Sequence, residues 1–484
     1  MTDETSSIST LPDRFQEECA VFGIYGTPEA SVLTALGLHA LQHRGQEATG
    51  IVSTNGREYF AHRGIGHVGE NFDANAGHLD KLKGHAAIGH NRYSTTGKPE
   101  IRNIQPFISE LAFGGFSLAH NGNLTNADRL RQSLVETGSL MQSTTDTEVI
   151  VHLVARSHQN TPSQRIVDTL KQLEGAWSLV ALCPDGLIGV RDPHGVRPLV
   201  LGKIGEAFVL ASETCALDII GASYIRDLEP GEMVLINDDG LTSLKPFARV
   251  QSRFCVFEYI YFARPDSQVE GRGVYEARKN IGRELAREAM VKADIVVPVP
   301  DSGVPAALGF AEEAGLPFEL GIIRNHYVGR TFIQPTDTGR QTGVKLKHNA
   351  NMATVNGKSV ILVDDSIVRG TTSMKIVAMM RNAGAREVHM RIASPPTTHP
   401  CFYGVDTPDR DKLIAAKMDA ASIAKEIGAD SVAFISMDGL YRSLGITSGR
   451  NAQSPEFCDA CFSGEYPIKP QTVTSGKSAV IETS

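Results

Sequence analysis

The chain has 484 residues, 41% hydrophobic and 21% charged, the balance of a globular protein with two or more sizeable domains. Its formal charge of -8, from 47 Lys and Arg against 55 Asp and Glu, argues against a nucleic-acid-binding face, and no apolar run approaches a membrane span. Residues 1–18 carry Asp3, Glu4, Asp13, Glu17 and Glu18 and no apolar stretch, so they do not read as a signal peptide; seven scattered cysteines fit thiol or metal chemistry in the cytoplasm better than disulfides.

In chain order, CAVFGIYG at 19–26 predicts a short buried strand. Four loops follow: ALQHRGQEATG (40–50), GHNRYSTTG (89–97), LAHNGNLTN (118–126) and TTDTEV (144–149). They are rich in Gly, Thr, Asn, Arg and Asp, which suits strand ends. From Trp177 to about Pro246, short apolar runs alternate with D-G, H-G and N-D-D-G turns, predicting stacked antiparallel strands. Within them RDPHGVRPL (191–199) receives no catalytic role, and Cys183 and Cys215 read as core thiols.

FCVFEYIYFARPDS (254–267) opens a second region of alternating patterns: a helix over 274–292, a strand in IVVPVP, a helix over 304–314 and a strand near 318–323. That alternation implies a largely parallel sheet with covering helices, whose ligands sit at the C-terminal strand ends. VPDSGVP (299–305) puts Asp301, Ser302 and Gly303 at one such end. RNHYVGRTFIQPT (324–336) is basic and aromatic with little periodicity, and Lys345 and Lys347 follow it. KSVILVDDSIVRGTTSM (358–374) is the most informative stretch. Its run Val360 to Val363 suits a strand buried on both faces, and Asp364 and Asp365 end it. Ser366, Arg369, Gly370, Thr371, Thr372 and Ser373 then lead into a helix over 374–382. Small hydroxylated residues at a helix start can ring a phosphate, and the acids can hold ribose hydroxyls or a metal. Cys255, Cys401, Cys458 and Cys461 remain, enough for one metal site, with zinc and an iron-sulfur cubane both open. The residues beyond Pro470 are Ser, Thr and Lys rich and read as disordered.

The 358–374 motif resembles the phosphoribosyl pyrophosphate (PRPP) loop of type I phosphoribosyltransferases. Cys19 and the four loops after it resemble the glutamine amidotransferase domain of the N-terminal nucleophile class. Together they resemble the amidophosphoribosyltransferase family over nearly the whole chain, in its branch with a propeptide and a [4Fe-4S] cluster. The resemblance implies an αββα sandwich followed by an α/β domain with a parallel sheet: 1–18 a propeptide removed before Cys19, 19–250 the glutaminase, 251–465 the phosphoribosyltransferase and 466–484 a tail. It implies Cys19 as nucleophile, its freed α-amino group serving as base, with Asn121 and Gly122 as the oxyanion hole. Arg92 and Asp146 would clamp the glutamine carboxylate and ammonium, with Arg44 supporting the same loop. A dyad of Cys19 with His90 or His120 is the rival mechanism. Asp364, Asp365, Ser366, Arg369, Gly370, Thr371, Thr372, Lys345 and Lys347 would bind PRPP under the closing 324–336 loop, and Ser302, Asp364 and Asp365 one Mg2+. Cys255, Cys401, Cys458 and Cys461 would hold the cluster rather than zinc. Purine nucleotides as feedback inhibitors and a homotetramer are further implications.

Overall fold

The computed structural model of the protein describes residues 19–73, 75, 77–93, 100–325 and 348–470. The first half is two stacked antiparallel sheets. One contains β1 (Ala20–Tyr25), β2 (Ala48–Thr54), β3 (Tyr59–Ile65), β4 (Ala86–Arg92), β9 (Val200–Ile204), β10 (Ala207–Ala211) and β11 (Ser223–Asp227), in the order β11-β9-β10-β1-β4-β2-β3. The other contains β5 (Phe107–Leu111), β6 (Gly114–Leu124), β7 (Gly175–Cys183), β8 (Gly186–Arg191), β12 (Met233–Asn237) and β13 (Gly240–Leu244), ordered β13-β12-β8-β7-β6-β5.

β1 shows why the sheets stack. Val21 lies in the core between them with Ile88, Val180, Leu210 and Val234, while Phe22 and Ile24 join the helices Ala30–Ala40 and Cys215–Ile219 on the outer face. Both faces of an alternating strand are thus apolar, and it reads as one continuous run. The helices Thr147–Arg156 and Pro162–Leu170 cover the opposite outer face through Ile150, Val154, Ile166 and Leu170, completing the αββα sandwich expected.

The expected turns at D-G and N-D-D-G are present as the tight β7–β8 and β12–β13 hairpins. H-G is not a hairpin turn: between β8 and β9 the chain changes sheets. Arg191, fully buried, organises that crossing by donating from Nε to Arg197 O at 2.9 Å and from Nη2 to Gly195 O at 2.6 Å.

The second half is built on a parallel sheet of β17 (Ile295–Pro298), β20 (Ser359–Asp364), β21 (Glu387–Ile392) and β22 (Ser431–Phe434), in the order β17-β20-β21-β22. β20 is central, and its run is buried on both faces as expected. Ile361 and Val363 pack with Ile281, Leu285 and Phe310 of the helices Val274–Ala289 and Val304–Ala314. Val360 and Leu362 pack with Ile376, Met380 and Ile423 of the helices Thr371–Asn382 and Ala420–Ile427.

Two short antiparallel pairs, β15 (Gln268–Val269) with β16 (Arg272–Gly273) and β18 (Ile322–Arg324) with β19 (His348–Ala350), flank this sheet. The latter corrects the strand expected over 318–323: Phe318 makes one parallel bridge to Val296, then the chain turns where Gly321 N donates to Glu319 O and leaves the sheet. β14 (Phe254–Cys255) runs parallel to β23 (Phe457–Cys458), pairing Cys255 with Cys458 and joining the start of this half to its end. No helix among the described residues is long and apolar enough to cross a membrane.

Candidate active sites

Strand register brings the expected glutaminase residues to one end of the sandwich. Ala20 pairs with Asn91, so Cys19 stands opposite Arg92, and its Sγ lies 3.7 Å from Tyr93 O. His90 on β4 then meets β6 across the sandwich, Nε2 to His120 O at 3.1 Å, which draws Asn121 and Gly122 toward the same end. Arg92 donates from Nη1 to Asn103 O at 2.5 Å, and Asn103 exchanges two 3.0 Å hydrogen bonds with Thr144. Two residues on, Asp146 Oδ2 accepts from Leu124 N at 2.9 Å. The loops separated in sequence are therefore knit together by main-chain and side-chain bonds.

Asn121 is fully buried and neither its Oδ1 nor its Nδ2 has a hydrogen-bond partner within the protein. An orphaned buried amide is costly unless a ligand completes it. That suits a donor aimed at an oxyanion. Gly122 has φ +139°, and a Cβ there would come within 2.0 Å of Ala176 O, so only glycine fits.

Arg44 is placed differently from the rest of the clamp. It is buried, with Nη1 2.5 Å from Glu213 and Nη2 2.6 Å from Glu258, two carboxylates fully out of solvent. It acts from behind the site: a Cβ on the next residue, Gly45, would lie 2.7–2.9 Å from the backbone of Asn91 and Arg92. Burial alone would raise the Glu213 carboxyl, but His43 and Arg44 outweigh it and hold it below the usual carboxylate range. Glu258 also pairs with buried Arg197, Nη1 to Oε1 at 3.1 Å, and Arg197 Nε donates to Tyr403 O at 3.1 Å. The RDPHGVRPL segment thus has a function that sequence reading missed: it fastens the sandwich to the second half. Asn103, Glu213 and Glu258 were missed too, since a lone carboxamide or carboxylate in a mixed segment carries no sequence signal of burial.

Both histidines near Cys19 are held neutral. Burial, helped by the Arg92 charge, pushes His90 down to about 3 from an ordinary 6.5, and burial lowers His120 against the pull of Asp146. So weak a base as His90 is poorly matched to a thiol, which disfavours the Cys/His dyad. The unfolded chain protonates His90 below about pH 6.5 and the fold does not, so the stability tied to His90 should be full above that pH and fall toward pH 3. Denaturant titrations at pH 7.5 and 5.0 should show a pH-dependent loss in the parent chain that is smaller by ~2 kcal/mol in His90→Gln.

In the second half, Val299 N donates to Val363 O at 2.9 Å, so the 299–303 and 364–370 loops leave the sheet side by side. Asp364 and Asp365 are 3% and 4% exposed. Asp365 N donates to Asp364 Oδ1 at 3.0 Å and Ser366 Oγ to Asp365 Oδ1 at 2.6 Å, while Asp365 Oδ2 and Ser302 Oγ are buried without a protein partner. Gly370, at φ +84°, precedes a helix that begins at Thr371 and not at Met374, so Thr371, Thr372 and Ser373 form its first turn, where a helix start presents N–H groups to an anion. Arg324 pairs with Asp301 at the entrance. Half-buried Asp406, also missed, has its carboxyl raised by burial and sits within electrostatic reach of both Arg369 of this loop and Glu47 of the sandwich. Lys345, Lys347, residues 326–336 and the 1–18 leader lie outside the described residues.

Cys255, Cys401, Cys458 and Cys461 line a single small cavity with Phe257, Tyr403 and Tyr466. None of the four is in a disulfide, and burial and the neighbouring cysteines push Cys458 and Cys461 well up. Among the described residues no three His, Cys, Asp or Glu side chains converge tightly enough to hold a single ion.

Residues 90–218 match the family described as Glutamine amidotransferase domain, and residues 272–393 the Phosphoribosyl transferase domain. The chain is 56% identical over 463 residues to an amidophosphoribosyltransferase of Rhizobium etli, covering 94% of this chain and 93% of the relative. It is 49% identical over 454 residues to that of Bacillus subtilis, covering 94% of each. The solved structure of glutamine PRPP amidotransferase from B. subtilis complexed with ADP and GMP superposes with a TM-score of 0.89 at 48% identity, over 94% of this chain and 99% of that one. With both sites assembled on one chain and relatives of this similarity along nearly all of it, the chain belongs to the amidophosphoribosyltransferase family.

Proposed function

We propose that the two sites act in sequence, with Cys19 as the glutaminase nucleophile and the Asp364–Asp365 loop as the PRPP site. The overall reaction is that of the family: PRPP, glutamine and water give 5-phosphoribosylamine, glutamate and pyrophosphate, the first committed step of purine nucleotide synthesis. The observation that carries the division of labour is the pairing of a bare buried amide at Asn121 with a bare buried carboxylate oxygen at Asp365, one in each half.

Removal of residues 1–18 would free the α-amino group of Cys19, whose ordinary pKa of about 7.7–8.0 lets it take the thiol proton near neutrality. The thiolate adds to the amide carbon of glutamine. Asn121 and Gly122 donate to the oxygen that becomes negative, and Arg92 and Asp146 hold the carboxylate and ammonium. Collapse expels ammonia, which leaves with the proton from the α-ammonium, and water hydrolyses the thioester to glutamate. Ammonia then attacks carbon 1 of PRPP, forming the C–N bond as the bond to pyrophosphate breaks. Asp364 and Asp365 accept from the ribose hydroxyls, and Ser366, Arg369, Gly370, Thr371 and Thr372 surround the 5-phosphate. Lys345 and Lys347 would meet the pyrophosphate, and the 324–336 segment would keep water off the ribose.

The donor set of Ser302, Asp364 and Asp365, hard oxygens beside a phosphate site, fits Mg2+, which would offset the charge of the leaving pyrophosphate. Four thiols in one cavity walled by aromatic rings fit an all-sulfur ligand set. The propeptide branch of the family has cysteines in these same motifs, which favours [4Fe-4S] over zinc; the group would tie β14, the 401 loop and β23 together. The B. subtilis complex with ADP and GMP supports purine nucleotides as inhibitors, and a cytoplasmic homotetramer completes the reading.

Mass spectrometry of the purified protein tests the processed and loaded state. Denaturing spectra should give a chain beginning at Cys19, and native spectra four such chains with four iron and four sulfide per chain. An active protein beginning at Met1, or one containing zinc without sulfide, would overturn the corresponding part.

A further inference from the structure

The last four residues of β6 divide their tasks. Asn121 and Gly122 form the reading's oxyanion hole, Leu124 N is bonded to Asp146, and Asn123 reaches out of the sandwich: its Nδ2 donates to Phe402 O of the second half at 3.0 Å. We propose that the 401–403 segment holds the oxyanion hole in place through Asn123, making Asn123 a positioning residue of the glutaminase. This rests on the assignment of Asn121 and Gly122 above.

Phe402 O is a firm anchor. On one side Cys401 N donates to Thr407 Oγ1 at 2.6 Å. On the other, Tyr403 N donates to Cys401 Sγ at 3.3 Å, Tyr403 O accepts from Arg197, and Tyr403 OH donates to Ile468 O at 2.5 Å. Tyr403 is 2% exposed, whereas the Phe402 ring is 36% exposed and contributes little to the core. The main chain at 402 is thus clamped by both neighbours, as a reference point for another element must be.

β6 needs such a reference. Gly122, at φ +139°, holds a conformation that only glycine adopts readily and carries the N–H assigned to the oxyanion. Pinning residue 123 from the second half and residue 124 from Asp146 leaves the glycine little freedom to drift. Misplacing catalytic donors by about 1 Å costs on the order of a hundredfold in rate. The glutaminase geometry then depends on an intact 401–403 segment, the same segment that contributes Cys401 to the cysteine cavity.

The test uses the full chain with Asn123→Ala and Asn123→Leu, assayed with glutamine and separately with ammonia as nitrogen donor. Glutamine-dependent kcat should fall about ten- to a hundredfold with KM for glutamine changed less than about twofold, and ammonia-dependent turnover should be unaffected. Undiminished glutamine turnover would overturn the proposal, and so would equal loss of both activities, which would make Asn123 a general stabiliser. Asn121→Ala measured alongside separates the two levels. If it too keeps glutamine turnover, the oxyanion assignment fails; if it alone loses turnover, only the Asn123 anchor fails.

Discussion

Cys19→Ala is expected to lower glutamine-dependent formation of phosphoribosylamine by at least about 10³-fold while leaving the ammonia-dependent rate near that of the parent chain. The alanine variant has no sulfur to form the thioester, so water must attack the amide directly. The second site is untouched: Cys19 contacts Tyr93 at the end of β4, whereas the PRPP loop leaves β20 in the other sheet. Steady-state assays with the two nitrogen donors decide it. A variant that retains glutamine turnover would remove Cys19 from the mechanism.

The complementary substitution, Asp365→Asn, should reduce both activities together, by about a hundredfold or more. Each hydrogen bond to a charged acceptor contributes about 1.5–3 kcal/mol, and a carboxylate gripping two ribose hydroxyls makes two of them. Its second expected signature is unusual for a buried polar residue. Because Asp365 Oδ2 is buried with no protein partner, the fold bears an uncompensated desolvation that PRPP would relieve. The asparagine, uncharged, should therefore melt at the same temperature as the parent chain or higher, while PRPP raises that temperature less in the variant. Thermal melts with and without PRPP and Mg2+ check this; a variant that unfolds early would give Asp365 a structural role instead.

What could be read locally was read well. The apolar run at 360–363 followed by two acids specifies a buried parallel strand and its functional end, since both depend only on near neighbours. The Gly-, Asn- and Thr-rich stretches fared less well as loops: 89–92 lies inside β4 and 118–124 inside β6, largely buried, because sheet pairing and not residue type sets where a strand stops. Errors came where a local pattern had two outcomes. H-G in 191–199 marks a turn equally well within a sheet or between sheets, and buried Arg191 selects the latter. The 318–323 run has strand character, yet its partner is set by a turn at Gly321 and by β19.

Arg44 shows the limit most clearly. As an arginine in a polar loop it was expected to support the glutamine-binding loop, but only the fold shows that two carboxylates from positions 213 and 258 hold it. Breaking such a buried pair costs roughly 3–5 kcal/mol because the remaining charge has no partner, so these residues act as one unit. Neither glutamate is distinguishable by sequence from a solvated one.

The sequence by itself determined the family's two chemistries, because the residues proposed as nucleophile, oxyanion donors, acid pair and phosphate turn each lie in a short motif whose residue types dictate what it can bind. The tertiary structure decided how the halves are joined: through Arg44, Glu258 and Arg197, and through Asn123 on Phe402. Those contacts span up to 279 positions along the chain. Burial, which strengthens the Arg44, Glu258 and Arg197 ion pairs, is a property of the packed fold and not of any local stretch.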